Sequence, residues 1–160
     1  MYKPEPLDVI VVDGHFYNPL HLGIMWRGLD KGCHCLTLKD SDGSVWSPEG
    51  KGIRNKHLSD YSGRTISAHR YNEPVDQNRL LQWGHETQRK CRGYDFKAWA
   101  GFVTGLKSLS NDETRYTCAE WPYWMWRYNG YPLTPNEEKF IYPRFFRFNP
   151  LFEEVFRGKI

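Results

Sequence analysis

The stretch CHCLTLKDSDGSVW, from Cys33 to Trp46, decides how the first half of the chain folds. From His34 to Lys39 its residues alternate, so that a β-strand would place His34, Leu36 and Leu38 on one face and Cys35, Thr37 and Lys39 on the other. The Asp-Ser-Asp-Gly-Ser segment that follows is rich in turn-forming residues. The pattern therefore predicts a β-hairpin whose second strand begins at Val45.

Further strands are predicted on both sides of this hairpin. The β-branched run from Asp8 to Asp13 precedes it, and the segment from Arg64 to Tyr71 follows it. We expect another strand from Leu22 to Arg27, directly after the Asn-Pro turn at residues 18–19, with His21 at its opening.

The second half of the chain changes to helical periodicity. A polar surface helix is expected between Pro74 and Cys91, and a more apolar helix from Phe96 to Leu106. A third helix should begin at Thr117, because Thr117 and Glu120 have the spacing of a capping box, and should end near residues 129–130. The expected fold class is α+β, with an antiparallel sheet packed against helices, and the 160 residues suit one domain.

Composition excludes several classes of protein. The chain contains 7 Trp, 10 Tyr and 9 Phe, which is too much apolar ring surface for intrinsic disorder. No apolar run approaches the roughly 20 residues of a membrane-spanning helix, and the first residues lack the pattern of a secretory signal, so we expect a cytoplasmic location by default. A net charge of +3, with both signs mixed along the chain, does not favour nucleic-acid binding.

The segment 131–160 is predicted to be an aromatic tail that packs back on the domain. Left in water, its rings would expose a larger apolar patch than a soluble monomer usually tolerates; they are Tyr131, Phe140, Tyr142, Phe145, Phe146, Phe148, Phe152 and Phe156. Pro143 and Pro150 should keep the crossing segment extended. We expect the basic side chains to stay outside: Lys139, Arg144, Arg147 and Arg157.

Cys118 is the best candidate for a nucleophile among the four cysteines. A thiol in the first turn of a helix lies near unpaired N–H groups and the positive end of the helix dipole, which favour the thiolate. The alternative is a small buried side chain with no chemistry, which is the commoner role of a free cysteine. The Cys33-His34-Cys35 segment has no second pair at zinc spacing, so no metal site is predicted.

His21 is the best candidate for the base, because a side chain at a strand edge can face a cleft. Glu49, just beyond the hairpin strand, could orient the imidazole. Each residue also has a structural alternative. His21 would then be a histidine whose hydrogen bonds are satisfied within the fold, and Glu49 a solvated carboxylate in a turn. A rival site at residues 13–15, with His15, lies in a turn.

The order of these motifs resembles that of the circularly permuted papain-like hydrolases of the NlpC superfamily, in particular the YiiX-like branch. The segments that carry the resemblance are Leu7-Asp8-Val9-Ile10-Val11-Val12, His21-Leu22-Gly23-Ile24, Val45-Trp46-Ser47-Pro48-Glu49-Gly50-Lys51-Gly52-Ile53, Leu58-Ser59-Asp60-Tyr61, Gly93-Tyr94-Asp95 and Tyr116-Thr117-Cys118-Ala119-Glu120. As in this family, the histidine precedes the cysteine. The family usually has Ser after the Cys, where this chain has Ala119.

The resemblance implies a permuted papain-like fold and a cysteine peptidase or amidase. Cys118 matches the family's nucleophile, His21 its base and Glu49 the polar residue that steadies the base, whereas the Tyr94-Asp95 pair matches a signature to which we assign a structural role. The implied substrates are peptide or peptidoglycan-stem amides or another acyl compound, with no cofactor. Two alternatives stay open: a catalytically silent binding module on the same scaffold, and a thioesterase or acyltransferase.

Overall fold

The computed structural model describes residues 2–14, 19–104, 114–134 and 141–160. Its strands are β1 (Val9–Asp13), β2 (Gly32–Leu38), β3 (Ser44–Glu49), β4 (Gly52–His57), β5 (Thr65–Tyr71), β6 (Gly93–Tyr94), β7 (Arg115–Tyr116) and β8 (Phe152–Lys159). Its helices are α1 (Pro19–Gly28), α2 (Gln77–Lys90), α3 (Phe96–Thr104), α4 (Glu120–Tyr128) and α5 (Arg144–Phe148), with a short 3-10 helix at Leu58–Tyr61. His15, Leu106, Lys139 and Phe140, which entered the sequence predictions, lie outside the described residues.

Six strands form one antiparallel sheet in the order β4-β3-β2-β1-β5-β8. The predicted hairpin is confirmed, since β2 pairs with β3 through Thr37 opposite Trp46 and Leu38 opposite Val45. A second, two-stranded parallel sheet joins β6 to β7. The α+β class and the antiparallel sheet packed against helices are as predicted.

The expected strand from Leu22 to Arg27 is wrong, because this segment belongs to helix α1. Ile24 and Met25 are adjacent and both buried, whereas Leu22 and Trp26 are 41% and 79% exposed. A strand would have placed Leu22, Ile24 and Trp26 on one face. Pro19 occupies the first helical position, where its fixed φ suits a helix and no N–H is needed. His21 therefore lies in the first turn of a helix and not at a strand edge.

The sheet separates two apolar layers. Val9, Val11, Cys35 and Trp46 face the layer that contains α2, α4 and α5, where most of the core lies. The opposite face carries a smaller cluster, made of Ile10, Val12, Leu36, Leu38, Val45, Leu58, Ile66 and Ala68.

The C-terminal segment differs from the prediction in local structure. Residues 144–148 form a short helix where an extended crossing was expected, and Phe152–Lys159 form strand β8. β8 pairs with β5 along its length, and Phe146 and Phe152 are buried in the main core.

Arg147 is a further correction, since its side chain is only 3% exposed. Its guanidinium forms ion pairs with Asp13 and Asp30, and its Nε donates to Ser67 Oγ. These partners neutralise the buried charge of Arg147, which the sequence pattern predicts to lie in solvent.

Candidate active site around Cys118

Cys118 lies in the turn between β7 and α4. The two hydrogen bonds of the predicted capping box form: the backbone N–H of Thr117 donates to Glu120 Oε2 at 2.9 Å, and the Glu120 N–H donates to Thr117 Oγ1 at 3.3 Å. The predicted helix start at Thr117 is wrong, however, because α4 begins at Glu120 with Ala119 as its N-cap, so Cys118 precedes the helix and does not lie in its first turn. This reciprocal pair fixes the path of the turn and hence the position of the thiol. The thiol is buried, with 3% of the residue exposed.

The sulfur of Cys118 is held against the edge of β2. Strand β3 pairs with β2 only at Thr37 and Leu38, and beyond them the backbone of β2 meets the thiol. Cys118 Sγ lies 4.0 Å from the carbonyl oxygen of Cys33, and the backbone N–H of Cys35 bonds to the sulfur and lowers its pKa. The thiol thus takes a position at a strand edge that a neighbouring strand would otherwise occupy.

Tyr94 provides a third contact to this sulfur. Its hydroxyl donates to Cys118 Sγ at 3.8 Å, and its ring is buried. The small parallel sheet explains the proximity, because Tyr94 of β6 is paired with Tyr116 of β7, two residues before Cys118. The neighbouring Asp95 is structural in the contacts described: its Oδ1 accepts the Ala98 N–H at 2.8 Å at the start of α3.

Burial raises the pKa of Cys118 above its usual value, and the hydrogen bonds from Cys35 and Tyr94 only partly offset this effect. The thiol is therefore protonated at rest near neutral pH, so a base has to accept its proton during attack. Burial also raises the pKa of the neighbouring thiols, to about 12 for Cys33 and well above the usual value for Cys35.

A small cavity of about 30 Å³ lies beside Cys118. Helices α1 and α3, the start of α4 and residues 141–143 form its walls, with Ile24, Tyr94, Ala98, Trp99, Thr117, Cys118, Ala119, Glu120, Ile141, Tyr142 and Pro143 as lining residues. Most of these side chains are aliphatic or aromatic. A ligand group that enters this cavity therefore meets a largely apolar wall in which Cys118, Thr117 and Glu120 also lie.

His21 lies on α1, one helical turn before Ile24 of the cavity wall. It is close enough to His34 for its charge to lower the pKa of that imidazole. Glu49 does not bond directly to His34. Instead its Oε1 accepts from Ser47 Oγ at 3.0 Å, and Ser47 Oγ lies 3.0 Å from His34 Nε2.

This His34–Ser47–Glu49 chain lies on the opposite face of the sheet from Cys118. His34 alternates with Cys33 and Cys35 on β2, and Ser47 alternates with Trp46 on β3, whose ring is in the main core. Glu49 also forms an ion pair with Lys56 at 2.7 Å. An interaction between Glu49 and a group on the Cys118 face of the sheet therefore has to run around the end of β2, where α1 packs.

Sequence reasoning missed the direct role of Tyr94 at the sulfur, since it assigned the Tyr94-Asp95 pair to structure alone. It also missed Ser47 as the intermediary of Glu49. The signal for Ser47 was present in the alternation of the hairpin, which places Ser47 and His34 on one face. The signal for Tyr94 was absent, because a two-residue parallel pairing leaves no periodicity in a sequence.

The described residues do not fit a metal centre. Among residues 2–14, 19–104, 114–134 and 141–160, no three His, Cys, Asp or Glu side chains are grouped so that they could hold a metal ion. The strand alternation separates His34 from Cys33 and Cys35, which face the opposite side of the sheet. No catalytic step is therefore assigned to a metal.

Comparison with solved structures finds a likeness that spans the whole fold. No protein-family model matches the chain, and no curated protein matches it. Its structure is similar to the crystal structure of the metalloprotein YiiX from Escherichia coli O157:H7, with a TM-score of 0.74 and 14% sequence identity over 99% of this chain and 100% of the other. The chain therefore has a YiiX-like α+β fold. In the part of the chain that the structure describes, no helix is long and apolar enough to cross a membrane.

Proposed function

We propose that the protein is a cysteine hydrolase of amide bonds on a permuted papain-like scaffold, with Cys118 as nucleophile, His21 as base and Glu49 as the supporting carboxylate. The observation that carries the proposal is the position of Cys118: a capping-box turn holds its thiol in the wall of a small, largely apolar cavity. The YiiX-like fold and the order of the sequence motifs support the same assignment.

Two other histidines are poorly suited to act as the base. Burial lowers the pKa of both His34 and His69 to about 4, so these imidazoles are poor proton acceptors at neutral pH. His21 lies on the helix that also lines the cavity. Glu49 is proposed as the supporting carboxylate because the Glu49–Ser47–His34 chain ends near His21, close enough for the charge of His21 to lower the pKa of His34.

The reaction follows the usual two steps of thiol hydrolases. The proton of the Cys118 thiol passes to His21, and the thiolate attacks the substrate carbonyl carbon. The amine leaves with the proton from His21, and an acyl-enzyme forms. Water, deprotonated by His21, then attacks this thioester, releases the carboxylic acid and restores the thiol.

Two groups are available to stabilise the developing oxyanion. The backbone N–H of Cys118 belongs to the turn before α4, and the Tyr94 hydroxyl already lies 3.8 Å from the sulfur. Donors of this kind, aimed at the position where charge develops, commonly make the largest contribution to acyl transfer.

The buried, protonated resting thiol favours a second candidate, a binding module that has kept the scaffold and does not turn over. In that case the 3% exposure of Cys118 and its raised pKa reflect a packed core residue. Both candidates predict the same fold, but they differ in thiol chemistry.

The deciding experiment is a time course of iodoacetamide labelling, read by mass spectrometry at each cysteine between pH 6 and 10. In a hydrolase, Cys118 reacts before Cys33, Cys35 and the partly exposed Cys91, although burial raises the pKa of the Cys118 thiol. His21→Gln moves the rising limb of the Cys118 profile to higher pH, because the proton acceptor is lost.

The matched control is His85→Gln, because His85 is an exposed histidine on α2. This substitution leaves the pH profile of Cys118 labelling unchanged. Faster labelling of Cys91 or Cys33, with Cys118 inert across the range, contradicts the hydrolase and favours the binding module. Turnover is checked with a panel of aminoacyl and peptidyl coumarin amides, on which Cys118→Ala abolishes activity.

A further inference from the structure

A second and larger cavity lies near the C-terminal end of helix α4, away from Cys118. Its volume is about 310 Å³, against about 30 Å³ for the cavity beside Cys118, and the two cavities share no lining residue. The turn before β1, the end of β5, the start of α2 and one residue of α4 form its walls. A volume of this size is at the lower end of the range for small-molecule sites.

One part of the wall of this second cavity is apolar. Its members are Pro6, Leu7, Tyr71, Pro74, Val75 and Trp126. The ring of Tyr71 stacks on that of Trp126, with 4.6 Å between their centroids, and Trp126 is buried in the main core. The prolines restrict the backbone on either side. This part of the wall can therefore receive an apolar group without rearrangement.

The other part of the wall is charged, with three carboxylates against one guanidinium: Glu5, Asp8, Glu73 and Arg70. The positive charge is already neutralised. Arg70 Nε and Nη2 donate to the two oxygens of Asp8 at 2.8 and 2.9 Å, and Arg70 Nη1 pairs with Glu5 at 2.8 Å. The salt bridges among the described residues leave the exposed Glu73 without a cationic partner. The cavity thus has an excess of negative charge.

The charged part is fixed before any ligand arrives. The buried Asp8 accepts the backbone N–H of Glu5 at 3.1 Å and the hydroxyl of Tyr2 at 2.8 Å, in addition to the two bonds from Arg70. These contacts hold the turn before β1 in place and set the position of the Glu5 carboxylate. A site whose groups are already ordered loses less entropy when it binds a ligand.

We propose that the second cavity binds a small organic cation, namely an alkyl- or arylalkylammonium ion. Its apolar body packs on the wall around Tyr71, and its ammonium group pairs with Glu73. The face of an aromatic ring also attracts a cation, so the same wall suits both parts of the ligand. The inference does not depend on the chemistry of Cys118, and it adds a binding site to the proposed function.

Anionic and neutral ligands fit this cavity less well. An anion would need Arg70, whose guanidinium is occupied by Asp8 and Glu5, and it would be repelled by the carboxylates. A neutral apolar molecule fills the wall but displaces water from Glu73 without replacing it by a partner. The charge balance therefore favours the cation.

The test compares three probes of similar size and different charge: phenethylammonium, phenethyl alcohol and hydrocinnamate. Binding to the full chain is measured by isothermal titration calorimetry at pH 7 and low salt. We expect phenethylammonium to bind with a Kd on the order of 1 mM, as suits so small a ligand. The alcohol should bind about fivefold more weakly, and the anion should not bind.

Glu73→Gln should weaken the binding of phenethylammonium by about fivefold and leave that of phenethyl alcohol unchanged. Glu86→Gln is the matched control, because it removes the same charge from α2 outside the cavity wall. It should change neither affinity. Gln77→Lys places an ammonium group of the chain itself in the wall at the start of α2, so it should abolish the binding of phenethylammonium.

A ¹H–¹⁵N correlation spectrum locates the bound probe. Phenethylammonium should shift the amide signals of Tyr71 and Val75 and leave that of Ala119, beside Cys118, in place. Equal affinities of the cation and the alcohol, an unchanged affinity in Glu73→Gln, shifts confined to other residues, or no binding of phenethylammonium would each overturn the proposal. None of these outcomes bears on the hydrolase assignment, which the labelling of Cys118 tests separately.

Discussion

The Tyr94 hydroxyl donates a hydrogen bond to the sulfur of Cys118 across 3.8 Å, although 24 residues separate the two in sequence. Parallel pairing of β6 with β7 brings them together. This contact lowers the pKa of the thiol, whereas burial raises it.

Removal of this donor should make the thiol less acidic. In Tyr94→Phe the thiolate loses a hydrogen bond, so the pKa of Cys118 rises further and less thiolate is present at a given pH. We expect alkylation of Cys118 at pH 8 to slow by roughly three- to tenfold, since the bond is long for a charge-assisted contact. Tyr128→Phe, at an exposed ring on α4, should leave the rate unchanged; equal rates in wild type and Tyr94→Phe would show that the contact has no effect on the thiol.

Arg147 should be essential for stability, because it is the buried counter-charge of two carboxylates. Arg147→Met leaves Asp13 and Asp30 unpaired in a largely buried setting, and we expect a loss of about 3–5 kcal/mol in the free energy of unfolding. Urea denaturation measures this change. Arg157→Met, which removes an exposed ion pair with Glu154, should cost less than about 1 kcal/mol. Similar losses in the two variants would contradict the buried pairing.

The stability of the protein should fall in mild acid through His69. Burial lowers the pKa of His69 from 6.5 to about 4, so between these values the unfolded chain binds more protons than the folded one. Stability is therefore complete above about pH 6.5 and decreases as the pH falls toward 4, by an amount on the order of 3 kcal/mol.

Unfolding in urea at pH 7 and pH 5 tests this dependence. His69→Gln, which has no titrating group, should show a smaller difference between the two pH values than the wild type. His34 contributes in the same direction, since its pKa is also lowered to about 4, so part of the dependence remains in the variant. An unchanged difference would rule out His69 as a source.

We propose that residues 131–160 belong to the single folding unit of residues 1–160 and are not a detachable arm. Two neighbouring rings of α5 test this: Phe146 is fully buried, and Phe148 is 72% exposed. Phe146→Ala should cost about 3–5 kcal/mol of unfolding free energy, and Phe148→Ala less than about 0.5 kcal/mol. A domain that tolerates Phe146→Ala with an unchanged melting temperature would favour the detachable arm.

Local patterns predicted the elements whose faces differ clearly in burial. The hairpin after Cys33 and the capping box at Thr117 follow from alternation and from one spacing, and both form. Helix α1 was read as a strand because its exposed face carries Leu22 and Trp26, so that apolar residues occur on both sides and hide the helical period. Arg147 was placed outside because the carboxylates that neutralise it are more than a hundred residues away in sequence.

The way Cys118 is held has a consequence for how the chain can change over time. Two of the groups that touch the sulfur, the Cys33 carbonyl and the Cys35 N–H, belong to the main chain of β2. Every strand edge presents such groups, whatever side chains it carries. Substitutions that keep the path of this buried strand therefore leave both contacts to the sulfur in place, as long as β3 still leaves that edge free.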